Sequence, residues 1–376
     1  MEAATKLLRE LVALPSVNPA FLPAGDARAG EQHVAEFLSH EARHAGLDFI
    51  GFQDVLPDRA NFLTSLSPTG KVERRILLAP HLDTVSAEGK QLQPVIKNGR
   101  LHGRGACDTK GSVAAYFTAL CAVAKSKQRP RHTEIIFAGL VDEENGQSGS
   151  RALARSGFKA DLAIVGEPTR CRVVTAHKGD LWLRLTTHGK AAHGARPELG
   201  RNAIHAMARV VDVLETDYAA QLRCRRHPLL GHGTVNVGAI RGGVQANIVP
   251  DRCEISIDRR TLPGETEAGI RREIQALLRK HKLAATIANT KSGSCPALET
   301  DPRQPLVREF LDAAGQSRPL GVDFFCDAAI LARGDIPSVV FGPGDIAQAH
   351  TANEWIALTQ LERATALLTR FLLSLP

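Results

Sequence analysis

The chain has 376 residues, of which 43% are hydrophobic and 23% charged, as in a globular protein large enough for two domains. Its net charge of +7 is dispersed and lacks interleaved aromatic residues, which predicts a mildly basic cleft for an anionic substrate and no nucleic-acid partner. No apolar run approaches the length of a membrane span, so no membrane partner is expected.

The first and last parts of the chain alternate between short apolar strands and amphipathic helices. Residues 1–14 form a predicted helix of mixed charge, unlike the basic and then apolar pattern of a signal peptide. Further helices are predicted at 31–45, 112–125 and 358–373, and buried strands at 61–67, 75–79, 134–141, 161–165 and 338–341. This alternation predicts an α/β fold.

The middle of the chain has a different pattern, with alternating strands and two longer helices. Strands are predicted at 182–187, 234–240, 252–260 and 284–288, and helices at 202–214 and 267–282. Their β-α-β-β-α-β order is that of a ferredoxin-like α+β domain. We therefore predict a first domain formed by residues 1–178 and 292–376, with a second domain inserted at 179–291.

Histidines and carboxylates follow the ends of the predicted buried strands. Open α/β sheets bind their ligands beyond the carboxyl ends of their strands, so these side chains are candidates for one shared site. The candidate metal ligands, at the strand ends and in one adjoining loop, are His81, Asp108, Glu144, Glu167 and His350.

Each candidate also has a simpler structural explanation when it is taken alone. His81 beside Asp83 is a pair that ordinary surface loops carry, and Asp108 suits the N-cap of the helix that follows it. The acidic turn at 142–144 resembles turns that only face water. The recurrence of such residues at equivalent strand ends favours the shared site.

Two imidazoles with three carboxylates suit a pair of zinc ions bridged by one carboxylate. Three negative charges against four positive ones leave such a cluster cationic, which favours an activated water and a stabilised oxyanion. Glu143 adjoins a ligand without being needed as one, so it can carry a proton from water to a leaving amine. Asp83 can accept the second ring N–H of His81 and fix its orientation.

The seven cysteines are odd in number, widely spaced and free of any CxxC pair. This pattern argues against a disulfide framework and against a structural zinc knuckle. The sequence also lacks an Asn-X-Ser/Thr acceptor in which X is not proline. Together these features predict reduced thiols and a cytoplasmic protein.

The candidate residues lie within five short motifs, which are HLDTV at 81–85, GRGACDTKG at 103–111, DEENG at 142–146, GEPT at 166–169 and HTANEW at 350–355. With these motifs the sequence resembles the family-M20 di-zinc peptidases and amidohydrolases, such as acetylornithine deacetylase, succinyl-diaminopimelate desuccinylase, aminoacylase-1 and glutamate carboxypeptidase. The resemblance covers essentially the whole chain. It implies a zinc-exopeptidase-like mixed sheet with helices on both faces, plus an inserted ferredoxin-like lid and dimerisation domain.

The resemblance also implies a role for each matching residue. Two zinc ions, or cobalt or manganese in their place, would share Asp108. One ion would also be held by His81 and Glu167, and the other by Glu144 and His350. Glu143 would be the general base and acid, and Asp83 would orient His81.

In the inserted domain, the resemblance implies three residues that meet the substrate. His193 would reach a substrate carbonyl, Arg260 of the D-x-R-x-x-P motif would bind a substrate carboxylate, and Asn247 would lie near them. The alternative for His193 is an ordinary loop histidine. Arg259 and Arg260 could form an exposed strand face, and only one of these neighbours can point inward.

The expected function is hydrolysis of the amide bond of a small N-acyl amino acid by a homodimer that associates through the inserted domain. A dipeptidase or carboxypeptidase of the same family, acting on a dipeptide-like substrate, is the main alternative. A non-catalytic binding protein on this scaffold is a remote alternative, because loss of catalysis normally removes a ligand or the base, and all are present.

Overall fold

The structure is a computed structural model that describes residues 2–290 and 293–376. The chain divides into two compact units. The first comprises the residues up to Thr175 together with Thr300–Leu320 and Cys326–Pro376, and the second comprises Ala176–Glu299 and Gly321–Phe325. The predicted boundary between residues 291 and 292 lies outside the described residues.

The six predicted helices begin and end close to where the sequence pattern predicts, and the described residues form four further α-helices that were not predicted. Gly46, for example, ends the second helix with a left-handed φ of 71°, a conformation that glycine adopts without strain. The α-helices of the described residues are α1 (Ala3–Ala13), α2 (Gln32–Ala45), α3 (Lys110–Ala124), α4 (Ser148–Arg155), α5 (Ala203–Val213), α6 (Ala219–Arg223), α7 (Glu267–Lys280), α8 (Pro305–Ala313), α9 (Ala328–Arg333) and α10 (Leu358–Ser374).

The strands include all those predicted, one strand of eight residues that was not predicted, and several short ones. They are β1 (Phe49–Leu56), β2 (Arg59–Leu66), β3 (Arg74–Pro80), β4 (Val95–Lys97), β5 (Arg100–His102), β6 (Thr133–Gly139), β7 (Leu162–Gly166), β8 (Val174–His177), β9 (Gly179–His188), β10 (Ala192–His193), β11 (Thr234–Gly242), β12 (Ile248–Val249), β13 (Arg252–Thr261), β14 (Thr286–Asn289), β15 (Leu298–Glu299), β16 (Leu320–Val322), β17 (Ser338–Phe341) and β18 (Trp355–Ala357).

The first unit is built on a mixed sheet in which β1, β2, β6, β3, β7 and β17 lie side by side in that order. The strands β6, β3, β7 and β17 run parallel, whereas β1 and β2 are antiparallel to their neighbours. The four parallel strands therefore present their carboxyl ends along one edge. This architecture confirms the predicted α/β fold with a mixed sheet.

The parallel strands are apolar over most of their length because both of their faces are covered. Residues 76–80 of β3 and all of β7 and β17 are buried. The helix α3 packs against β3 and β6, and α9 packs against β7 and β17. The amphipathic α1 buries Leu8 and Leu11 in the same hydrophobic core. These layers hold the strand ends in fixed positions.

The second unit has the predicted β-α-β-β-α-β order, formed by β9, α5, β11, β13, α7 and β14. Its four-stranded antiparallel sheet has the order β11-β13-β9-β14, the arrangement of a ferredoxin-like fold. The helices α5 and α7 contribute Met207, Val210, Ile270 and Ile274 to its core.

The structure also bears on the predictions about the cysteines and about membrane-spanning segments. All seven cysteines are free. No helix in the part of the chain that the structure describes combines the length and the apolar character needed to cross a membrane.

Candidate metal centre

The parallel strands of the first unit deliver the candidate ligands to one place. His81 follows β3 directly and forms a parallel bridge with Leu140, just beyond β6. Glu167 follows β7 directly, and Glu143 and Glu144 stand a few residues after β6. Because these strands are parallel neighbours, their carboxyl ends bring the side chains together.

The carboxylate of Asp108 faces two imidazoles at once. Its Oδ1 atom lies 3.3 Å from Nε2 of His81, and its Oδ2 atom lies 3.3 Å from Nε2 of His350. Glu144 Oε2 is 3.0 Å from Nε2 of His350, and Glu167 Oε1 is 3.9 Å from Nε2 of His81. The structure thus brings all five predicted ligands into one cluster, with Asp108 between its two halves.

The donor groups of this cluster fit divalent cations. The ligand atoms of His81, Asp108 and Glu144 lie within 4.8 Å of one another, and so do those of His81, Glu143 and Glu167. The buried Oε1 atom of Glu144 has no hydrogen-bond partner among the described residues. A buried carboxylate oxygen without a partner is energetically costly, and a bound cation would satisfy it.

Burial and mutual repulsion raise the pKa of three carboxyl groups of the centre, those of Glu143, Glu144 and Glu167. Burial and the nearby Glu167 raise the pKa of Glu143 well above its usual value. Burial and Asp108 do the same to the pKa of Glu167, and they also raise the pKa of Glu144. A bound cation would relieve this repulsion and favour the ionised carboxylates that could ligate it.

The nearby carboxylates also raise the pKa of both histidines. Asp108 and Glu144 raise the pKa of His350 to about 10. Burial lowers the pKa of His81, but the hydrogen bonds to Asp108 and Asp83 outweigh burial and raise it well above its usual value. The carboxylates thus hold a proton on each imidazole at the atoms that would ligate a metal, and a cation can replace those protons.

Asp83 holds His81 mainly through its backbone. Nδ1 of His81 lies 3.0 Å from the backbone carbonyl oxygen of Asp83 and 3.4 Å from its carboxylate oxygen Oδ1. A carbonyl oxygen can only accept, so Nδ1 carries the proton and Nε2 is left for a metal. The carboxylate of Asp83 instead accepts the backbone N–H groups of Glu143 at 3.0 Å and Glu144 at 3.1 Å.

A network behind Asp83 was not predicted from the sequence. The side-chain amide of Asn18 donates to Asp83 at 2.7 Å and to Asp142 at 3.0 Å. Arg59 pairs with Asp142 at 3.2 Å and with the buried Glu31 at 2.5 Å. Asp142 has a left-handed φ of 68°, which is strained for a residue other than glycine. These contacts hold the loop in the conformation that presents Glu143.

Glu354 is a second positioning residue that sequence reasoning missed. Its carboxylate accepts the backbone N–H groups of Cys107 at 2.8 Å and Asp108 at 2.9 Å, and it pairs with Arg104 at 2.7 Å. It therefore fixes the loop that carries Asp108. The only sequence signal was its position four residues after His350 within the HTANEW motif.

In the second unit, His193 and Asn247 lie on a small antiparallel ribbon. His193 on β10 pairs with Ile248 on β12, next to Asn247. The exposed His193 ring accepts the backbone N–H of Ala195 at Nδ1, at 3.1 Å. In the neutral ring the proton must then be on Nε2, which can donate to an acceptor.

The register of β13 separates the two neighbouring arginines. Arg259 lies on the face that packs against the helices and is fully buried, where it pairs with Glu265 at 2.5 Å. Arg260 lies on the opposite face, pairs with Asp258 at 3.0 Å and has its guanidinium 5.2 Å from the ring centre of Phe325. Of the two arginines, Arg260 therefore remains accessible to a ligand.

Comparison with known proteins places this centre in context. The family model of peptidase family M20/M25/M40 matches residues 77–374. An acetylornithine deacetylase from Myxococcus xanthus is 30% identical, covering 96% of this chain and 95% of that protein. An acetylornithine deacetylase from Proteus mirabilis is 31% identical, covering 95% of this chain and 92% of that protein.

Solved structures show the same fold at lower identity. The aminopeptidase PepT from Bacillus cereus has a TM-score of 0.78 at 23% identity, covering 99% of this chain and 97% of that one. The Bacillus subtilis YXEP protein, described as a dinuclear metal-binding peptidase of the M20 family, has a TM-score of 0.69 at 13% identity. It covers 98% of this chain and 96% of that one.

Proposed function

The chain belongs to peptidase family M20/M25/M40 and is a metal-dependent amidohydrolase, and we propose that it removes the acyl group from a small N-acyl amino acid. Two relatives that match this chain almost from end to end are acetylornithine deacetylases, which supports a deacetylase or desuccinylase type of reaction. The proposed cofactor is a pair of zinc ions, in line with the dinuclear centre described for the YXEP protein.

The observation that carries this proposal is the position of Asp108 between two imidazoles. Each of its carboxylate oxygens lies 3.3 Å from one histidine Nε2 atom, the arrangement expected of a carboxylate that bridges two ions. His81 and Glu167 would complete one ion's ligands, and Glu144 and His350 would complete the other's. Bound there, the ions would supply Lewis-acid polarisation of the acyl carbonyl.

Glu143 is the proposed general base and acid. Burial and Glu167 raise its pKa, which makes its carboxylate a stronger acceptor for a proton from water. Its backbone is fixed by Asp83, so the carboxylate can accept a proton from water and return it to the leaving nitrogen. Glu143 is itself close enough to His81 and Glu167 to share a metal ion with them. Mutagenesis must therefore separate its role from that of Glu144.

Three residues of the second unit are proposed to bind the substrate. His193 would donate from Nε2 to the acyl carbonyl oxygen, since its Nδ1 atom is already an acceptor. Arg260 would bind the substrate carboxylate through its guanidinium fork, and Asn247 would lie beside them. Residues 179–291, with bounds as predicted, would act as a lid that excludes water from the reaction.

We also propose a homodimer that associates through the second unit. The strand β11 forms an edge of the four-stranded sheet, and among the described residues its only sheet partner is β13. Large apolar side chains are exposed on and after it, with exposed fractions of 56% for Ile240, 98% for Val244 and 43% for Ile248. Such an edge is a template for pairing with a second copy. The cytoplasm is the proposed location.

The direct test is a substrate panel assayed with the zinc-loaded enzyme. It would contain N-acetylornithine, other N-acetyl and N-succinyl amino acids, and dipeptides, with release of free amine as the readout. Turnover of N-acyl amino acids well above that of dipeptides would support deacylation. The reverse preference would establish the peptidase alternative, and no turnover of any compound would contradict an amidohydrolase of this substrate class.

A further inference from the structure

A cavity in the second unit is lined by positive charge. It has a volume of about 750 Å³, within the range of small-molecule sites, and it lies between α5, α7 and the start of β14. Four cationic side chains line it, Arg201, Arg209, Arg279 and Lys282. No acidic side chain lines it among residues 2–290 and 293–376.

The four cations are also without acidic partners. The protein has many ion pairs elsewhere in this unit, such as those of Arg225 with Glu273 and Arg252 with Glu254. By contrast, none of the four lining cations forms an ion pair with a residue that the structure describes. Like charges gathered without counter-charge repel one another, and an anion bound between them would remove that repulsion.

The remaining lining indicates what else the ligand would contain. Leu278, Leu283 and Ala285 give the cavity apolar surface beside its cations. An organic anion could cover this surface while its charged groups meet the arginines. Guanidinium groups bind phosphoryl and carboxylate oxygens in pairs.

We propose that this cavity, bounded by Arg201, Arg209, Arg279 and Lys282, is a binding site for a small organic molecule with two phosphoryl groups. A phosphoryl group carries nearly two negative charges and three acceptor oxygens, so two of them match four cations. A carboxylate carries a single charge, and more carboxylates would be needed in the same volume. The residues that line this cavity belong to the second unit, whereas the five proposed metal ligands belong to the first.

The test is calorimetric titration of the zinc-loaded, full-length protein with pyrophosphate and with fructose 1,6-bisphosphate, and with citrate for comparison. We expect both phosphate compounds to bind and the affinity to fall as salt rises, because screening weakens attraction between exposed charges. The Arg209→Gln/Arg279→Gln variant should bind at least about tenfold more weakly, since two guanidinium partners are lost. Zinc content measured after each titration checks for removal of metal by the anions.

A matched control is available in the same unit. Arg223 and Arg226 are exposed and do not line the cavity, so Arg223→Gln/Arg226→Gln makes the same change in net charge elsewhere. This variant should bind the phosphate compounds like the wild type. The proposal is overturned if neither compound binds or if both double variants bind equally. Citrate binding as tight as that of fructose 1,6-bisphosphate would overturn the assignment to phosphoryl groups.

Discussion

The carboxylate of Asp83 accepts a hydrogen bond from the backbone N–H of Glu143, with 3.0 Å between Oδ1 and the nitrogen. The same side chain accepts the N–H of Glu144, while its backbone carbonyl lies against His81. A single residue thus connects the end of one parallel strand to the loop after its neighbour. The distance between the proposed ligand His81 and the proposed base Glu143 depends on this connection.

We therefore expect Asp83→Asn to lower kcat by about 10- to 100-fold, the range typical when a residue that supports metal ligands is changed. The asparagine side chain would place an N–H donor against the backbone N–H groups of Glu143 and Glu144, which are donors themselves. The loop that carries these two residues would then lose its position. Steady-state kinetics with metal analysis would measure this. Asp161→Asn is a suitable control, because exposed Asp161 also accepts a backbone N–H, from Arg75, at 2.7 Å. Equal activity of the two variants would contradict the assigned role of Asp83.

The adjacent residues Glu143 and Glu144 should respond differently to the same substitution. We expect Glu143→Ala to keep near-normal zinc while kcat falls by about a hundredfold or more, as for loss of a general base. Glu144→Ala should lose zinc, since its carboxylate lies 3.0 Å from His350 and has a buried oxygen without a partner. Comparable zinc loss in both variants would show that Glu143 is itself a ligand.

The guanidinium group of Arg260 should bind a substrate carboxylate that lies beside the scissile amide nitrogen. We expect Arg260→Ala to raise KM by an amount equivalent to about 2–4 kcal/mol, as when one partner of a desolvated charge pair is removed. Arg260→Lys should also be impaired, because it keeps the charge but loses the fork. A substrate with an amidated carboxylate should be poor for the wild type and little worse for the alanine variant.

The control for Arg260 lies on the same strand. Arg252 is exposed at the start of β13 and pairs with Glu254, two residues away, as Arg260 pairs with Asp258. Arg252→Ala should leave KM unchanged. If the wild type hydrolysed the amidated and acidic substrates equally well, Arg260 would have no part in recognising a carboxylate.

The buried His177 should make stability depend on pH. Burial lowers its pKa to about 4, so the folded protein binds this proton less readily than the unfolded chain does. Its stabilising contribution is complete above the ordinary histidine pKa and is lost as pH falls toward 4. Between pH 7 and pH 5 this group alone should lower the free energy of unfolding by about 2 kcal/mol. In urea unfolding, the free energy of unfolding of His177→Gln should decrease less over this pH interval than that of the wild type.

A second histidine serves as the control for that measurement. His33 on α2 is exposed, so its ring is in water in both the folded and the unfolded chain. The His33→Gln variant should lose stability between pH 7 and pH 5 as the wild type does. If the stability of His177→Gln depended on pH as strongly as that of the wild type, other groups would account for the dependence.

Much of the fold was predictable because buried parallel strands and amphipathic helices have strong periodic patterns. The strands β3, β6, β7 and β17 are nearly continuous apolar runs, and their ends led directly to His81, Glu144 and Glu167. By contrast, β4 and β5 have three residues each, too few for a periodic signal. β1 was missed because it contains Gly51 and several exposed residues.

The supporting residues of the centre were harder to predict. Glu354, Asn18 and Glu31 act by binding backbone groups or other side chains from distant parts of the chain, and such contacts leave no local pattern. The choice between Arg259 and Arg260 also needed the structure. Adjacent residues on a strand face opposite sides, and the sequence does not say which side the helices cover.

The central claim, a two-metal centre organised by Asp108, is tested most directly by counting zinc in the purified chain. After dialysis against metal-free buffer, mass spectrometric metal analysis should find two zinc ions per wild-type chain. Asp108→Ala should lose both ions, because the carboxylate faces both imidazoles, whereas Asp161→Ala should retain two. A single ion in the wild type, or two ions retained in Asp108→Ala, would contradict the account.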